Sequence, residues 1–171
     1  MKSSRWFALS VALWGATLAS CGQESLTTDT RSSSLPSDER KVEFLQRYLQ
    51  LPSAVETAEF HIVFHDNSRG IPGPSDYSIE VAIKVAPGAV PSWLAGLEPG
   101  EPLGVPSWAA ELIPATSADS RWALHSTPRF YRRPGANVCL WAYETEGVIL
   151  KSLHSGTDDC GGGPPAVAGN F

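Results

Sequence analysis

Two segments in which apolar and polar residues alternate one by one constrain the fold most. They are VETAEFHIVFHD (55–66) and DYSIEVAIKVAP (76–87). Successive side chains of a β-strand point to opposite faces, so a two-residue period predicts strands with one buried face. The Gly/Pro-rich connection between them is too long for a tight hairpin turn.

The C-terminal third is also predicted to be β-structure. NVCLWAYE (137–144) and GVILKSLH (147–154) form a predicted hairpin that turns at 145–147. RWALHS (121–126) and STPRFYRR (126–133) are predicted as two further strands.

Three helices are expected beside these strands. SDERKVEFLQRYLQL (37–51) has a good N-cap in Ser37, acids in its first turn, apolar residues at helical spacing, and Pro52 to end it. PSWLAGL (91–97) and PSWAAEL (106–112) predict two short helices with proline in the first turn. The predicted fold is a single small α+β domain: an antiparallel sheet with the N-terminal helix and both short helices on one face.

The N-terminus predicts a secretory signal. Lys2 and Arg5 precede the uncharged apolar run WFALSVALWGATLAS (6–20). This run is shorter than the ~20 residues that a membrane-spanning helix needs. A basic start, a short apolar run and small residues at its end are typical of a signal peptide.

The end of that run, Leu18-Ala19-Ser20-Cys21, resembles the lipobox of bacterial prolipoproteins. The resemblance implies removal of residues 1–20, acylation of Cys21 and a lipid-anchored protein of the cell envelope. Gly22 is not the aspartate that retains such proteins at the inner membrane, so the resemblance favours an outer-membrane location in a cell that has one. The alternative is an ordinary secretory signal with an incidental cysteine.

The mature chain divides into three predicted parts. Residues 21–36 are rich in Ser and Thr and predict a flexible tether, whereas 37–160 is the folded domain. The Gly/Pro-rich tail, 161–171, is expected to be disordered.

The charge of the chain limits its possible binding partners, and its cysteine content indicates the cellular compartment. Without residues 1–20 the chain has 11 basic and 18 acidic residues, and this net acidity argues against nucleic acid as a partner. With Cys21 acylated, Cys139 and Cys160 remain as an even pair in an oxidising compartment, which predicts a disulfide. Two free thiols or an intermolecular bridge are the alternatives.

The first candidate site contains His61, His65, Asp66 and Asp76. On a strand, His61 and His65 share a face but lie about 13 Å apart, too far to bind one metal ion directly. No metal site is therefore predicted, although the polar loop that begins at Asp66 is a candidate binding region. Its residues are also those that turns require for local hydrogen bonds.

The second candidate site is a concentration of arginine. Arg129, Tyr131, Arg132 and Arg133 lie together in one predicted strand, and arginine beside tyrosine suits recognition of a carboxylate, a phosphate or a protein. The alternative is a solvated strand whose charges prevent edge pairing.

The function predicted from these features is a membrane-anchored envelope lipoprotein with a binding domain that is not catalytic. Its expected partners are the bilayer, through Cys21, and an envelope protein or cell-wall material; no cofactor is predicted. The chain lacks the common nucleophile, phosphate-binding and zinc-protease motifs, which favours the absence of enzymatic activity without settling it. The alternative is a tethered hydrolase or metal-dependent enzyme that uses His61, His65 and Asp66.

Overall fold

A computed structural model describes residues 27–65, 76–113, 120–155 and 160. In this part of the chain seven strands form one antiparallel sheet in the order β1-β2-β3-β7-β6-β5-β4. The strands are β1 Thr27–Arg31, β2 Thr57–His65, β3 Asp76–Lys84, β4 Glu98–Pro99, β5 Arg129–Arg132, β6 Val138–Tyr143 and β7 Val148–His154. The predicted antiparallel sheet is confirmed.

Short helices accompany the sheet, consistent with an α+β or a mostly-β class. The α-helices are α1 Asp38–Leu45, α2 Val90–Trp93 and α3 Ser107–Leu112. Turns of 3-10 helix occupy Ser32–Ser34, Pro87–Ala89 and Ser120–Trp122.

Helix α1 begins where the sequence predicts and ends earlier. The hydroxyl of Ser37 accepts a hydrogen bond from the Arg40 N–H at 3.4 Å, as an N-cap does. After Leu45 the N–H groups of Arg47 and Tyr48 bond three residues back rather than four. The regular α-helix therefore ends at Leu45, and the chain continues with tighter turns well before Pro52.

Each face of the sheet carries an apolar cluster, since successive side chains of a strand point to opposite faces. The first face is packed by one apolar cluster, which includes Leu45, Phe60, Ile62, Val81, Ile83, Leu140 and Ile149, together with Val90 and Trp93 of α2. The second face is packed by another, which includes Ala82, Cys139, Trp141, Tyr143, Val148 and Leu150, together with Ala109 of α3 and Trp122. Residues of α1 and α2 thus contribute to the first cluster, whereas a residue of α3 contributes to the second.

Part of the predicted tether is sheet. Thr27–Arg31 pairs with the second half of β2, so the flexible segment predicted over 21–36 does not include these residues. Ser32 then closes the pairing: its hydroxyl accepts from the Phe60 N–H at 3.0 Å and donates to the Glu59 carboxylate at 2.6 Å. These bonds hold the chain at the point where β1 leaves the edge of the sheet.

The strand predicted over 121–126 is also wrong. Ser120–Trp122 forms a 3-10 turn that buries Trp122 on the second face. The N–H groups of His125 and Ser126 donate to the Glu146 carboxylate at 2.9 and 2.7 Å, so they are not used for strand pairing. Of the following predicted strand, Arg129–Arg132 is confirmed as β5.

The predicted cysteine pair is placed for a disulfide. Cys139 lies in β6 and Cys160 follows β7, with 5.5 Å between their Cα atoms. The predicted signal sequence, Cys21, Asp66 and the predicted tail 161–171 lie outside the described residues. No helix within the described residues has the length and apolarity that crossing a bilayer requires.

Candidate functional site

The second face of the sheet is polar toward the end where β1 begins. Cross-strand pairing places side chains from β1, β2, β3 and β7 side by side on this surface, which we name the polar face. Its members are Asp29, Arg31, His61, His65, Asp76, Ser78, Glu80, Ser152 and His154.

His61 is at the centre of the polar face. Its Nε2 lies 2.9 Å from a carboxylate oxygen of Asp29, and its side chain is 22% exposed against 66% for Asp29. In the sheet register His61 is directly opposite Arg31 on one side and Glu80 on the other. His61 therefore has an arginine and a glutamate as cross-strand neighbours, and its ring contacts the Asp29 carboxylate.

Glu80 is the polar-face carboxyl most perturbed by its surroundings. Burial raises its pKa above the ordinary value, and the charge of Glu111 in α3 raises it further, whereas His61 and Arg31 oppose the change. Glu80 therefore holds a proton more readily than a solvated glutamate. A carboxyl of this kind can donate or accept a hydrogen bond, depending on what binds beside it.

His154 connects two serines at the side of the polar face formed by β3 and β7. Its Nε2 lies 2.5 Å from the Ser152 hydroxyl, and its Nδ1 lies 3.1 Å from the Ser78 hydroxyl. Ser152 is only 2% exposed, so a substrate in solution cannot reach its hydroxyl in this arrangement. The contact with Ser78 ties β7 to β3, whereas the contact with Ser152 lies within β7.

The structure places His61, His65 and Asp76 on one surface, each with its own contact. His65 Nδ1 lies 2.8 Å from the Thr27 hydroxyl, and Asp76 accepts from the Ser155 hydroxyl at 3.3 Å. Within the described ranges no three His, Cys, Asp or Glu side chains are arranged to hold a metal ion together.

The arginine-rich strand is divided between the two faces. Tyr131 packs in the first-face cluster at 7% exposure, so its ring belongs to the core and is not part of an exposed binding surface. Burial raises the pKa of its hydroxyl, which donates to Glu144 at 2.9 Å. Arg129 is exposed and pairs with the same carboxylate at 3.4 Å.

The other two arginines are both exposed: Arg132 lies on the opposite face of β5, and Arg133 lies just after the strand ends. Arg132 borders a cavity of about 380 Å³ with Phe130, Leu103 and Cys160, and Arg133 follows β5. Arg129 and Tyr131 therefore stay together at Glu144, whereas Arg132 lies on the opposite face of the sheet.

Sequence reasoning did not include Asp29, Ser78, Glu80, Ser152 or His154 in the candidate site. The last four share the two-residue period of the predicted strands, so they could have been placed on the face of His61 once the strands were paired. Asp29 gave no such signal, because it lies in a Ser/Thr-rich segment with few apolar residues.

No known family model matches the chain, and neither a curated protein nor a solved structure does.

Proposed function

We propose that this chain is a lipid-anchored protein of the cell envelope whose domain binds a partner protein through the polar face. The observation that carries the proposal is the cross-strand row of histidines and carboxylates centred on His61. These side chains are held in position by sheet pairing and hydrogen bonds, and several remain accessible to a partner.

The chemistry of the polar face suits a partner with both donors and acceptors. Asp29 and Arg31 present exposed charges of opposite sign, with 66% and 51% of their side chains accessible. Charges arranged in this way give specificity and speed of association more than raw affinity. Because the sheet fixes them, their ordering costs little when a partner binds.

The lipobox residues support the anchor. Two or three acyl chains on Cys21, each CH₂ contributing about 0.8 kcal/mol when buried, hold a protein stably at a bilayer where one chain does not. The first described strand starts at Thr27, six residues after Cys21, so the domain lies close to its anchor.

The anchor is tested by fractionation. The Cys21→Ala variant is expected to lose the lipid mass on its N-terminal peptide and to move from the membrane to the soluble fraction. Retention of that variant on membranes would show that Cys21 is not the attachment point.

The binding surface is tested by site-specific photocrosslinking in intact cells. A benzoylphenylalanine replaces Asp29 on the polar face or, as a control, Glu43 of α1, which is 52% exposed. We expect a protein adduct of defined mass from position 29 that is absent from position 43. Equal adducts from both positions, or none from position 29, would contradict the polar face as the binding surface.

A further inference from the structure

The first face has an apolar cleft of about 260 Å³ at the end of the sheet where β1 begins. Its walls are Tyr48, Phe64, Tyr77 and Leu153, and Ile62 and Ile79 form its floor. Tyr77 keeps 37% of its surface exposed, an unusual fraction for a large apolar side chain in this domain. A cleft with apolar walls that opens to solvent can admit an apolar group of a ligand.

The cleft exists because α1 covers only part of β2. Phe44 of α1 stacks on Phe60 with 5.6 Å between the ring centroids, so the helix packs over the first half of the strand. The chain then turns at 46–48, and Arg47 and Tyr48 form one rim of the cleft.

The cleft lies at the end of the sheet that is nearest the proposed anchor. Thr28 of β1 is directly opposite Phe64, and Phe64 is directly opposite Tyr77. Adjacent strands are about 4.8 Å apart, so the cleft begins one strand away from β1. The six residues from Cys21 to Thr27 span at most about 20 Å when fully extended.

We propose that this cleft docks on the membrane that holds the anchor and takes an acyl chain of a bilayer phospholipid. The inference rests on the proposed lipid anchor, because the short connection to Cys21 is what brings this end of the sheet to the bilayer. Tyrosine rings suit the boundary between headgroups and acyl chains, which is where Tyr48 and Tyr77 would lie.

Arg47 supplies the polar part of the docking surface. Its side chain is 60% exposed, with the guanidinium 3.7 Å from Glu43 and 5.6 Å from the Phe44 ring centroid. From the rim of the cleft it can donate to the phosphate of the lipid whose chain enters below. The net acidity of the mature chain opposes adsorption of the whole surface, so contact is confined to this end.

The test is photolabelling of the full-length acylated protein in vesicles. The vesicles contain phosphatidylcholine, phosphatidylglycerol and a small share of phosphatidylcholine with a diazirine in its acyl chain. Mass spectrometry first establishes the acylation of Cys21 and then maps the adducts. We expect the labelled peptides to contain Phe64, Tyr77 or Leu153.

Two matched variants test whether the cleft itself makes the contact. Tyr77→Glu adds a carboxylate at the cleft, whereas Val105→Glu adds one at another exposed apolar position, in the loop before α3. Labelling of the cleft peptides should fall about fivefold in Tyr77→Glu, because the anionic membrane surface repels the added carboxylate. Labelling should stay unchanged in Val105→Glu. A urea unfolding curve for each variant shows whether it is folded.

The outcomes separate the inference from the anchor. If Cys21 is acylated and the wild-type adducts fall on α3 or on 98–105 instead of the cleft, the docking inference is overturned and the anchor stands. Equal labelling of the cleft in wild type and a folded Tyr77→Glu variant would also overturn the inference. An unacylated Cys21 would overturn both.

Discussion

Glu146 in the turn of the β6–β7 hairpin is expected to be a major stabilising residue of the domain. Its carboxylate accepts from the Ser126 hydroxyl at 2.6 Å and from two backbone N–H groups, those of His125 and Ser126. The bonds attach the segment before β5 to the hairpin. The change we consider is Glu146→Gln, which keeps the shape of the side chain and removes its charge.

The size of the effect follows from the pKa of Glu146. The Ser126 hydroxyl, with the two N–H groups, lowers the pKa of this carboxyl from 4.5 to about 2. At about 1.36 kcal/mol per pKa unit, that difference corresponds to roughly 3.4 kcal/mol. The carboxylate is only partly buried, and solvent screening reduces the expected loss in the variant to about 1.5–2 kcal/mol.

The effect depends on pH in a defined direction. A carboxyl whose pKa is lower in the folded state stabilises the fold fully above its unfolded pKa, here about 4.5, and loses that contribution as the pH falls toward about 2. The difference between wild type and Glu146→Gln should therefore be largest at pH 7. At about pH 3 it should be less than about half as large.

The assay is urea unfolding followed by tryptophan fluorescence at both pH values. Glu101→Gln, which removes the same charge from an exposed loop position, is the control and should change the free energy of unfolding by less than about 0.5 kcal/mol. A Glu146→Gln variant as stable as wild type at pH 7, or a difference that grows at acid pH, would refute the reasoning.

Three further changes should destabilise the domain, each measured by the urea midpoint. Gly147 has φ of +67°, and a Cβ there would overlap the backbone carbonyl oxygen of Val85. Gly147→Ala should therefore lower the free energy of unfolding by about 3 kcal/mol, and a loss below about 1 kcal/mol would contradict the clash. Opening the Cys139–Cys160 link, which closes a loop of 21 residues, should cost about 3 kcal/mol, and an unchanged midpoint after reduction and alkylation would show that the link is not formed. Ser32→Ala removes the buried hydroxyl that bonds the Phe60 N–H and the Glu59 carboxylate. The free energy of unfolding should fall by about 1–3 kcal/mol, whereas the same change at an exposed serine should be nearly neutral.

The sequence predicted the elements whose identity is local. Strands β2 and β3 follow from strict alternation, and the start of α1 follows from the Ser37 cap and the acids after it. The hairpin of β6 and β7 was also found, because two apolar runs flank a turn that contains Gly147. In each case the signal and the structure occupy the same stretch of chain.

The errors arose where a distant residue decides the structure. Thr27–Arg31 is a strand because β2, about 30 residues later, offers its edge; its own composition resembles a tether. The segment 121–126 looks like a strand, but Glu146 binds the N–H groups that a strand would use.

The candidate site was predicted in part for a similar reason. His61 and His65 stand out within one strand, whereas Asp29, Glu80 and His154 join them only through the pairing of four strands. Tyr131 lies on the covered face of β5, and the sequence alone does not show which face that is. The sheet register supplies this information.

The position of β1 gives the domain a mechanical connection to its proposed anchor. Any tension between the membrane and the domain acts at Thr27 and runs along β1, whose five cross-strand pairs with β2 carry the load together when the pull is parallel to the strand. A load in shear is shared by all these hydrogen bonds, whereas a pull across the strand would open them one at a time from Thr27. The Ser32 bonds fix the far end, so the strand resists sliding as well as peeling. An edge strand that begins six residues after the proposed anchor would therefore transmit force from a bilayer into the core of the sheet.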